Sequence, residues 1–384
     1  MKHTLTLLVF LFISALTHAQ KIKTQFLVIG TNVAGIGAAV QAAKAGVKTI
    51  IIDSTTVLGT DVEKIDTTFT LGLDGQFLKQ RRTGKQRQEI LSQWLQEHKK
   101  LKLLTRVRVT SKVKGKDGWE LKLSNGQQIL ANWVFEDQGP KISEYAPGKF
   151  LEDFDISITS DNWPGSQYRT QVGVPRGNNK INSYPLSRFL RTERENWIVI
   201  PAVGKSFSTG QIVGAMAANA MNNNPGDFDV RMVQKMLLTE GLYLDNYNDI
   251  QMNDPNFEVF QRIFATGLLR PGFYTPGGML ARPEEAVAIK NIVNSFIDYY
   301  KSSAVWFERH PMGTMSIAEA MELLFVSSHK SFDAQIELEW AGKLRFSSTF
   351  DPQRAITRRE FAVLIDAYLK PFEVAVHMNG DLRR

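Results

Sequence analysis

A short apolar strand that runs into a glycine, and then into an alanine-rich helix, constrains this chain more than any other feature. Gln25 to Ile29 (QFLVI) is an apolar run ending at Gly30, the pattern of a strand buried in a parallel sheet. Val33 to Ala45 is rich in alanine with helical periodicity, and Gly46 stops it as a C-terminal glycine does. Lys48 to Ile52 is a second β-branched run, closed by Asp53. Strand, helix and strand at this spacing make one βαβ unit, which places the chain in the α/β class.

The turn between that strand and helix has the residues of a phosphate-binding loop, with one exception. A nucleotide diphosphate needs a tight turn, a close backbone approach and a helix N-terminus aimed at it. Gly30 can make the turn, and Gly35 lets the helix lie close to the sheet. Asn32 stands where the G-x-G-x-x-G pattern has its middle glycine. Asn takes positive φ more readily than most side chains, which preserves the turn, but its Cβ and amide crowd a pyrophosphate. Asp53 lies 18 residues after Gly35, where an acid can accept bonds from ribose hydroxyls. A glycine motif alone is a weak signal. Framed by a strand, a helix and an acid-terminated strand, it predicts a Rossmann-like dinucleotide-binding domain. Two readings stay open: a bound cofactor, or an empty scaffold in which the glycines serve packing.

Further along, residues 86–100 look helical. Leu103 to Lys114 and Trp119 to Leu123 alternate across a Lys116-Asp117-Gly118 hairpin signal, and Gln127 to Phe135 adds a strand, giving a small β-meander. Residues 140–190 are rich in Gly, Pro, Asn and Ser and read as irregular or partly paired strands. Trp197 to Val203 is an apolar strand ending in Gly204, with an alanine-rich helix over Gln211 to Met221 after it. Asn222-Asn223-Asn224-Pro225-Gly226 is a break and a candidate domain boundary. Beyond about residue 228 the pattern is mostly helical. It carries a weak two-fold repeat, over about 254–300 and 315–372. Gly267-Leu268-Leu269-Arg270 leads to Arg282-Pro283-Glu284-Glu285-Ala286 opening a helix; Gly342-Lys343-Leu344-Arg345 leads to Thr357-Arg358-Arg359-Glu360-Phe361-Ala362 opening another.

The N-terminus reads as a secretory signal: Lys2 and His3, an apolar run from Leu5 to Leu16, then Thr17-His18-Ala19, with cleavage expected near Ala19. The expectation is an exported protein, periplasmic or extracellular, with no transmembrane anchor. The sequence has no cysteine, which excludes disulfides, thiolate nucleophiles and thiol–flavin relays. The net charge of +7 is spread among interleaved acids and bases and gives no reason to expect a nucleic-acid partner.

The segments FLVIGTNVAGIGAAVQAAKAGVKTIIID and NWIVIPAVGKSFSTGQIVGAMAANAM together resemble FAD-dependent oxidoreductases of the two-dinucleotide-binding-fold type. The closest likeness is to exported bacterial members, often labelled xanthan lyase-like. The TRxEFA-like run from Thr357 to Ala362 is also similar to S-layer homology repeats, which bind cell-wall polymers. The resemblance covers about 25–140, 180–222 and the tail. It implies FAD as cofactor; with the N-terminal signal and the break at 222–226, the expected division is a signal peptide over 1–19, an FAD-binding domain over 20–224 and a helical region over 225–384. It also implies that Gly30, Asn32, Val33, Ala34 and Gly35 contact the pyrophosphate and that Asp53 takes the adenosine ribose. The resemblance further implies that Val107, on the strand after the first helix pair, lies near the adenine, and that Gly204 and Lys205 lie near the ribityl chain. The chain departs from the family at Asn32, in a Ser206–Gly210 stretch shorter than the family's loop over the flavin, and in a short 140–190 segment where the substrate domain belongs.

Two functions from different classes follow. One is an exported FAD-dependent oxidoreductase acting on an unidentified small molecule or glycan. The other is a non-catalytic Rossmann scaffold whose C-terminal tail binds a cell-envelope polymer. No catalytic residue is readable. The histidines lack ligand spacing, so no metal site is expected. The basic residues Lys79, Arg81, Arg82, Lys85 and Arg87 read as a solvated face or, less simply, a surface for an acidic polymer. Trp163, Tyr168 and Tyr184 read as packing residues or sugar platforms. No Gly-x-Ser-x-Gly elbow is present, which argues against a hydrolase.

Overall fold

The computed structural model describes residues 21–137, 168–175, 181–190, 196–200, 205–222, 228–245, 247–270, 274–275, 278–310 and 312–383. The N-terminal residues read as a signal sequence, Trp163 and Gly204 lie outside the described residues.

The first unit forms as its pattern predicts. β1 (Lys21–Ile29) leads through Gly30 into α1 (Val33–Lys44), then β2 (Thr49–Ile52), and the two strands pair in parallel. α2 (Gly72–Arg82) and α3 (Arg87–Gln96) follow. β3 (Leu101–Leu104) pairs in parallel with the outer edge of β2. β4 (Val109–Lys114), β5 (Trp119–Leu123) and β6 (Gln128–Glu136) form the antiparallel meander, and β6 closes back in parallel onto β1. The order is β3-β2-β1-β6-β5-β4.

One expectation fails here. The alternation from Leu103 to Lys114 is not one strand but parts of two, at opposite edges of the sheet. The break falls at Arg106, whose φ of 59° lies in the left-handed region. Alternation sets which face a side chain takes but not which neighbour the strand pairs with, so a reversal between two alternating runs leaves no mark in the pattern.

After β6, β7 (Gln171–Pro175) and β8 (Ile181–Pro185) make an antiparallel ribbon. β9 (Trp197–Ile198) joins the main sheet, parallel to β6, as its apolar run suggested. α4 (Phe207–Asn222) begins at Phe207, so all of Ser206–Gly210 but Ser206 is helix. α4 packs on α1 through glycines. A Cβ on Gly210 would meet the Ala34 carbonyl oxygen at 2.1 Å, and one on Gly37 the Phe207 carbonyl oxygen at 2.2 Å. Both helices start at the carboxyl end of the parallel strands.

The C-terminal part is helical. α5 (Val230–Thr239) and α6 (Phe257–Thr266) lead to α7 (Val293–Tyr299), α8 (Ala304–Arg309), α9 (Ile317–Ser328), α10 (Asp333–Glu339) and α11 (Arg358–Leu364). Its repeat is three-fold at the centre, where two copies were expected. Three extended segments close a ring of backbone bonds: Met315 N–H to the Val287 carbonyl (2.9 Å), Ile356 N–H to that of Met315 (2.9 Å), and Val287 N–H to that of Ile356 (3.0 Å). Two of these segments enter helices through capping boxes, Ser316 with Glu319 and Thr357 with Glu360. The first has Ala288 and Asn291 at the matching places, and no α-helix opens at Arg282–Ala286. The chain makes turns there, then a 3-10 turn at Ile289–Asn291. Without a side chain to cap the first N–H groups, the regular helix starts only at Val293.

The apolar cores do not divide at the 222–226 break. α5 and the returning residues Phe372 and Val376 belong to the core under the sheet, together with α1 and α4. A second core, from Tyr247 to Ile365, holds the helical region. Among the described residues no helix is long and apolar enough to cross a membrane.

Candidate nucleotide-binding site

The site sits outside the carboxyl ends of β2, β1 and β6. There the chain leaves β1 for one neighbour and later returns on its other side; ligands bind open α/β sheets at such switch points. Gly30 makes the turn at φ +107°, where a side chain is strained, and no atom lies within 4 Å of where its Cβ would be. Gly35 is required by packing, since a Cβ there would meet the Gly30 carbonyl oxygen at 2.1 Å. Val33 and Ala34 occupy the first turn of α1, as expected.

Asn32 differs from its expected role. Its φ is −68° and ψ 174°, so no positive φ is needed there. It is the N-cap of α1: its Oδ1 accepts from the Gly35 N–H at 2.7 Å, and its Nδ2 donates to Asp137 Oδ2. A middle glycine could not do this. Asp137 follows β6, its side chain is 4% exposed, and Lys205 Nζ lies 3.1 Å from it.

Asp53 closes β2 as expected, but its carboxylate is engaged. Oδ2 accepts from the Thr31 N–H and hydroxyl, both at 2.7 Å; Oδ1 accepts from the Thr55 N–H at 2.7 Å and hydroxyl at 2.9 Å. Burial works to raise its pKa, and the bonds from Thr31 and Thr55 outweigh this, holding it below the ordinary value. Val107 is not on a strand. It precedes β4, its N–H donates to the Asp53 carbonyl at 3.0 Å, and its side chain is buried against Leu27, Ile50 and Ile52. It therefore braces the end of β2.

Besides Asp137, the sequence leaves two further acids of the site unmarked. Asp61, in the loop after β2, accepts from the Val33 N–H at 2.9 Å. Asp74, fully buried on α2, accepts from the N–H groups of Phe207 (3.1 Å) and Ser208 (2.8 Å) at the start of α4. Burial dominates at Asp74 and raises its pKa despite those bonds. Neither has a motif. The available signals were the N-cap pattern Asn32-x-x-Gly35 and isolated acids in loops that return to the sheet end.

Three successive turn residues are therefore each tied to a different aspartate: Thr31 to Asp53, Asn32 to Asp137, Val33 to Asp61. The turn has the shape of a phosphate cradle, while the N–H groups of Val33 and Gly35 on α1, and of Phe207, Ser208 and Thr209 on α4, already serve the protein's own side-chain oxygens. Among the described residues no group of three or more acids and histidines is placed to hold a metal. The basic run at the end of α2 and start of α3 is solvated: Lys79, Arg81 and Arg82 are exposed, and Arg87 pairs with Glu63 at 3.5 Å. Tyr168 and Tyr184 are buried and unavailable as sugar platforms.

No protein-family model matches the sequence, and no curated protein matches it. Among solved structures the chain is similar in part to thioredoxin reductase of T. acidophilum, at 19% identity and TM-score 0.22, over 30% of this chain and 36% of that one. It is similar to p-nitrophenol 4-monooxygenase of Pseudomonas putida at 13% identity and TM-score 0.27, over 32% and 42%. It is similar to the bacillithiol disulfide reductase of Staphylococcus aureus at 12% identity and TM-score 0.23, over 31% and 39%. Each match thus spans less than half of either chain. Strand order, parallel register, the Gly30 turn and the crossover helix make residues 21–137, with β9 and α4, a Rossmann-like α/β fold.

Proposed function

We propose that this chain is an exported FAD-dependent oxidoreductase-type protein whose nucleotide lies across the carboxyl ends of β2, β1 and β6. The observation that carries this reading is the open Gly30 turn, facing the N-terminus of α1 with nothing filling the space a side chain would take. The cradle fits a pyrophosphate in shape. Its donors fit only once Asp61 gives up the Val33 N–H, because that N–H is among those a phosphate would take.

In this reading Gly30 and Gly35 permit the close approach, and Val33 and Ala34 present N–H groups to the pyrophosphate. Asp53 orients the ribose by exchanging a threonine hydroxyl for a ribose hydroxyl. Asn32 keeps the helix capped, and Lys205, beside Asp137, offsets the negative charge at the sheet end. When bound, the flavin supplies hydride acceptance, and the protein's part is to place it. The substrate proposed is a small molecule or glycan.

A second reading has its own support: carboxylates already sit on the first N–H groups of both α1 and α4. A protein that never binds a nucleotide would be built this way. It would serve as a Rossmann scaffold carrying a C-terminal region that holds a cell-envelope polymer. An absorbance spectrum and a thermal melt of the purified mature chain decide between them. Flavin absorbance near one equivalent, or a melting temperature raised by added FAD, supports the first reading. A colourless protein indifferent to FAD rejects it.

A further inference from the structure

We propose that Asp61 is a built-in, exchangeable stand-in for a phosphate of the nucleotide, whereas Asp74 closes the neighbouring helix terminus permanently. The inference rests on the nucleotide reading for its ligand class, a nucleoside diphosphate or pyrophosphate, and otherwise on the two carboxylates themselves.

An α-helix leaves its first N–H groups without intrahelical partners, and they carry partial positive charge. Here two such termini lie side by side, because glycine contacts at Gly37 and Gly210 bring α1 and α4 together near their starts. Each has acquired an aspartate. Asp74 is fully buried, reaches two successive N–H groups, and is held on α2, whose Leu73 N–H is in turn fixed by Gln211 of α4 at 2.8 Å. Displacing it would leave a charge buried without partners, which is costly. Asp61 is different. It is half-buried on a loop and makes one bond to α1, through a single carboxylate oxygen, at 2.9 Å. Swung away, it returns to water at little cost.

The geometry therefore divides the site into a fixed half and a replaceable half. An incoming pyrophosphate meets one removable competitor, at Val33. It also meets the negative charge of Asp61 for as long as that side chain stays in place. Occupancy of the Val33 N–H by Asp61 and by a phosphate is mutually exclusive.

The test uses the mature chain and its Asp61→Ala and Asp61→Asn variants, melted with and without inorganic pyrophosphate and, separately, FAD. Without ligand, Asp61→Ala should melt lower than wild type because α1 loses a cap. Pyrophosphate should raise its melting temperature, with an apparent affinity on the order of tenfold tighter than wild type shows. Asp61→Asn keeps an acceptor and loses the charge. It should melt near wild type yet respond to pyrophosphate more than wild type does, which keeps the test decisive if the alanine variant folds poorly. Equal responses to pyrophosphate in all three proteins, present or absent, overturn the proposal. If pyrophosphate separates the variants but FAD shifts none of them, the stand-in role holds and the flavin reading fails. If FAD binds wild type while pyrophosphate fails to separate the variants, the flavin reading holds and this inference fails.

Discussion

At the scale of single residues, the acids around the sheet end titrate in opposite senses. Asp53 has a folded pKa below the ordinary 3.8, so between those values the unfolded chain binds more protons than the folded one. Its contribution to stability is complete above that ordinary value and is lost as pH falls through the folded one. Asp74 has a folded pKa above 3.8, so the folded chain binds more protons in that window, and its contribution grows as pH falls through the raised value. Denaturation from about pH 7 to about pH 2 should therefore show less acid loss in Asp53→Asn than in wild type, and less gain on mild acidification in Asp74→Asn. Parallel profiles for wild type and both variants would show that neither carboxylate is coupled to folding as its bonds indicate. These residues also mark how far the sequence could be read. Gly30, Gly35 and Asp53 were legible because a turn, a close approach and a strand end each demand a particular residue type. Asp61 and Asp137 were not, because a carboxylate that satisfies a backbone N–H can arrive from any loop that folds back to it. Asn32 was legible as an exception and misread in effect: it caps α1 from an ordinary φ rather than deforming the turn.

At the scale of elements, the α1–α4 contact is the joint that sets the site's shape. Its closeness comes from missing side chains. A Cβ at Gly210 would meet the Ala34 carbonyl oxygen at 2.1 Å and the Ala38 nitrogen at 2.8 Å, both backbone atoms that cannot rotate aside. Gly210→Ala should therefore force the helices apart and cost about 1–3 kcal/mol in chemical denaturation. Gly342→Ala is the control. Nothing lies within 4 Å of its would-be Cβ and its φ is not positive, so its change should stay within about 0.5 kcal/mol. A Gly210→Ala protein as stable as the control would mean that the helix pair slides freely and that the glycines are incidental. Elements with strong periodicity were legible: β1, α1, β2, the meander's turn and the helical C-terminal region. What failed was pairing and register. β3 and β4 share an alternating run but belong to opposite sheet edges, and Ser206–Gly210 looked like loop because small polar residues that cap a helix also populate turns.

At the scale of the whole molecule, the question is where the chain can be cut. Composition marks the Asn-Asn-Asn-Pro-Gly stretch, and a boundary there would leave a self-sufficient nucleotide-binding domain ending at Asn224. The buried core runs across that division. Val230, Val233 and Leu237 of α5, and Phe372 and Val376 from the end of the chain, are buried in the same core as α1 and α4. Their backbone is tied as well: the Val230 N–H donates to the Val376 carbonyl at 2.9 Å. Arg231, fully buried on α5, reaches the carbonyls of Arg169 at 3.3 Å and Ala265 at 3.0 Å, and the Tyr299 hydroxyl at 3.2 Å. Arg169 in turn pairs with Asp298 at 2.8 Å and donates to the Gly380 carbonyl at 3.3 Å. Removing all residues beyond 224 would delete the five apolar side chains named above, each stabilising by about 1.5–3 kcal/mol when buried, and uncover the core surface of α1 and α4 that they cover. That loss is comparable to the whole stability of an ordinary domain, about 5–15 kcal/mol. A fragment spanning residues 20–224 should therefore be insoluble or lack a cooperative melt, while the chain from residue 20 to its end melts cooperatively. A soluble fragment with a sharp transition would restore the boundary that composition suggests. It would also mean that the C-terminal segment docks on an already folded domain instead of completing it.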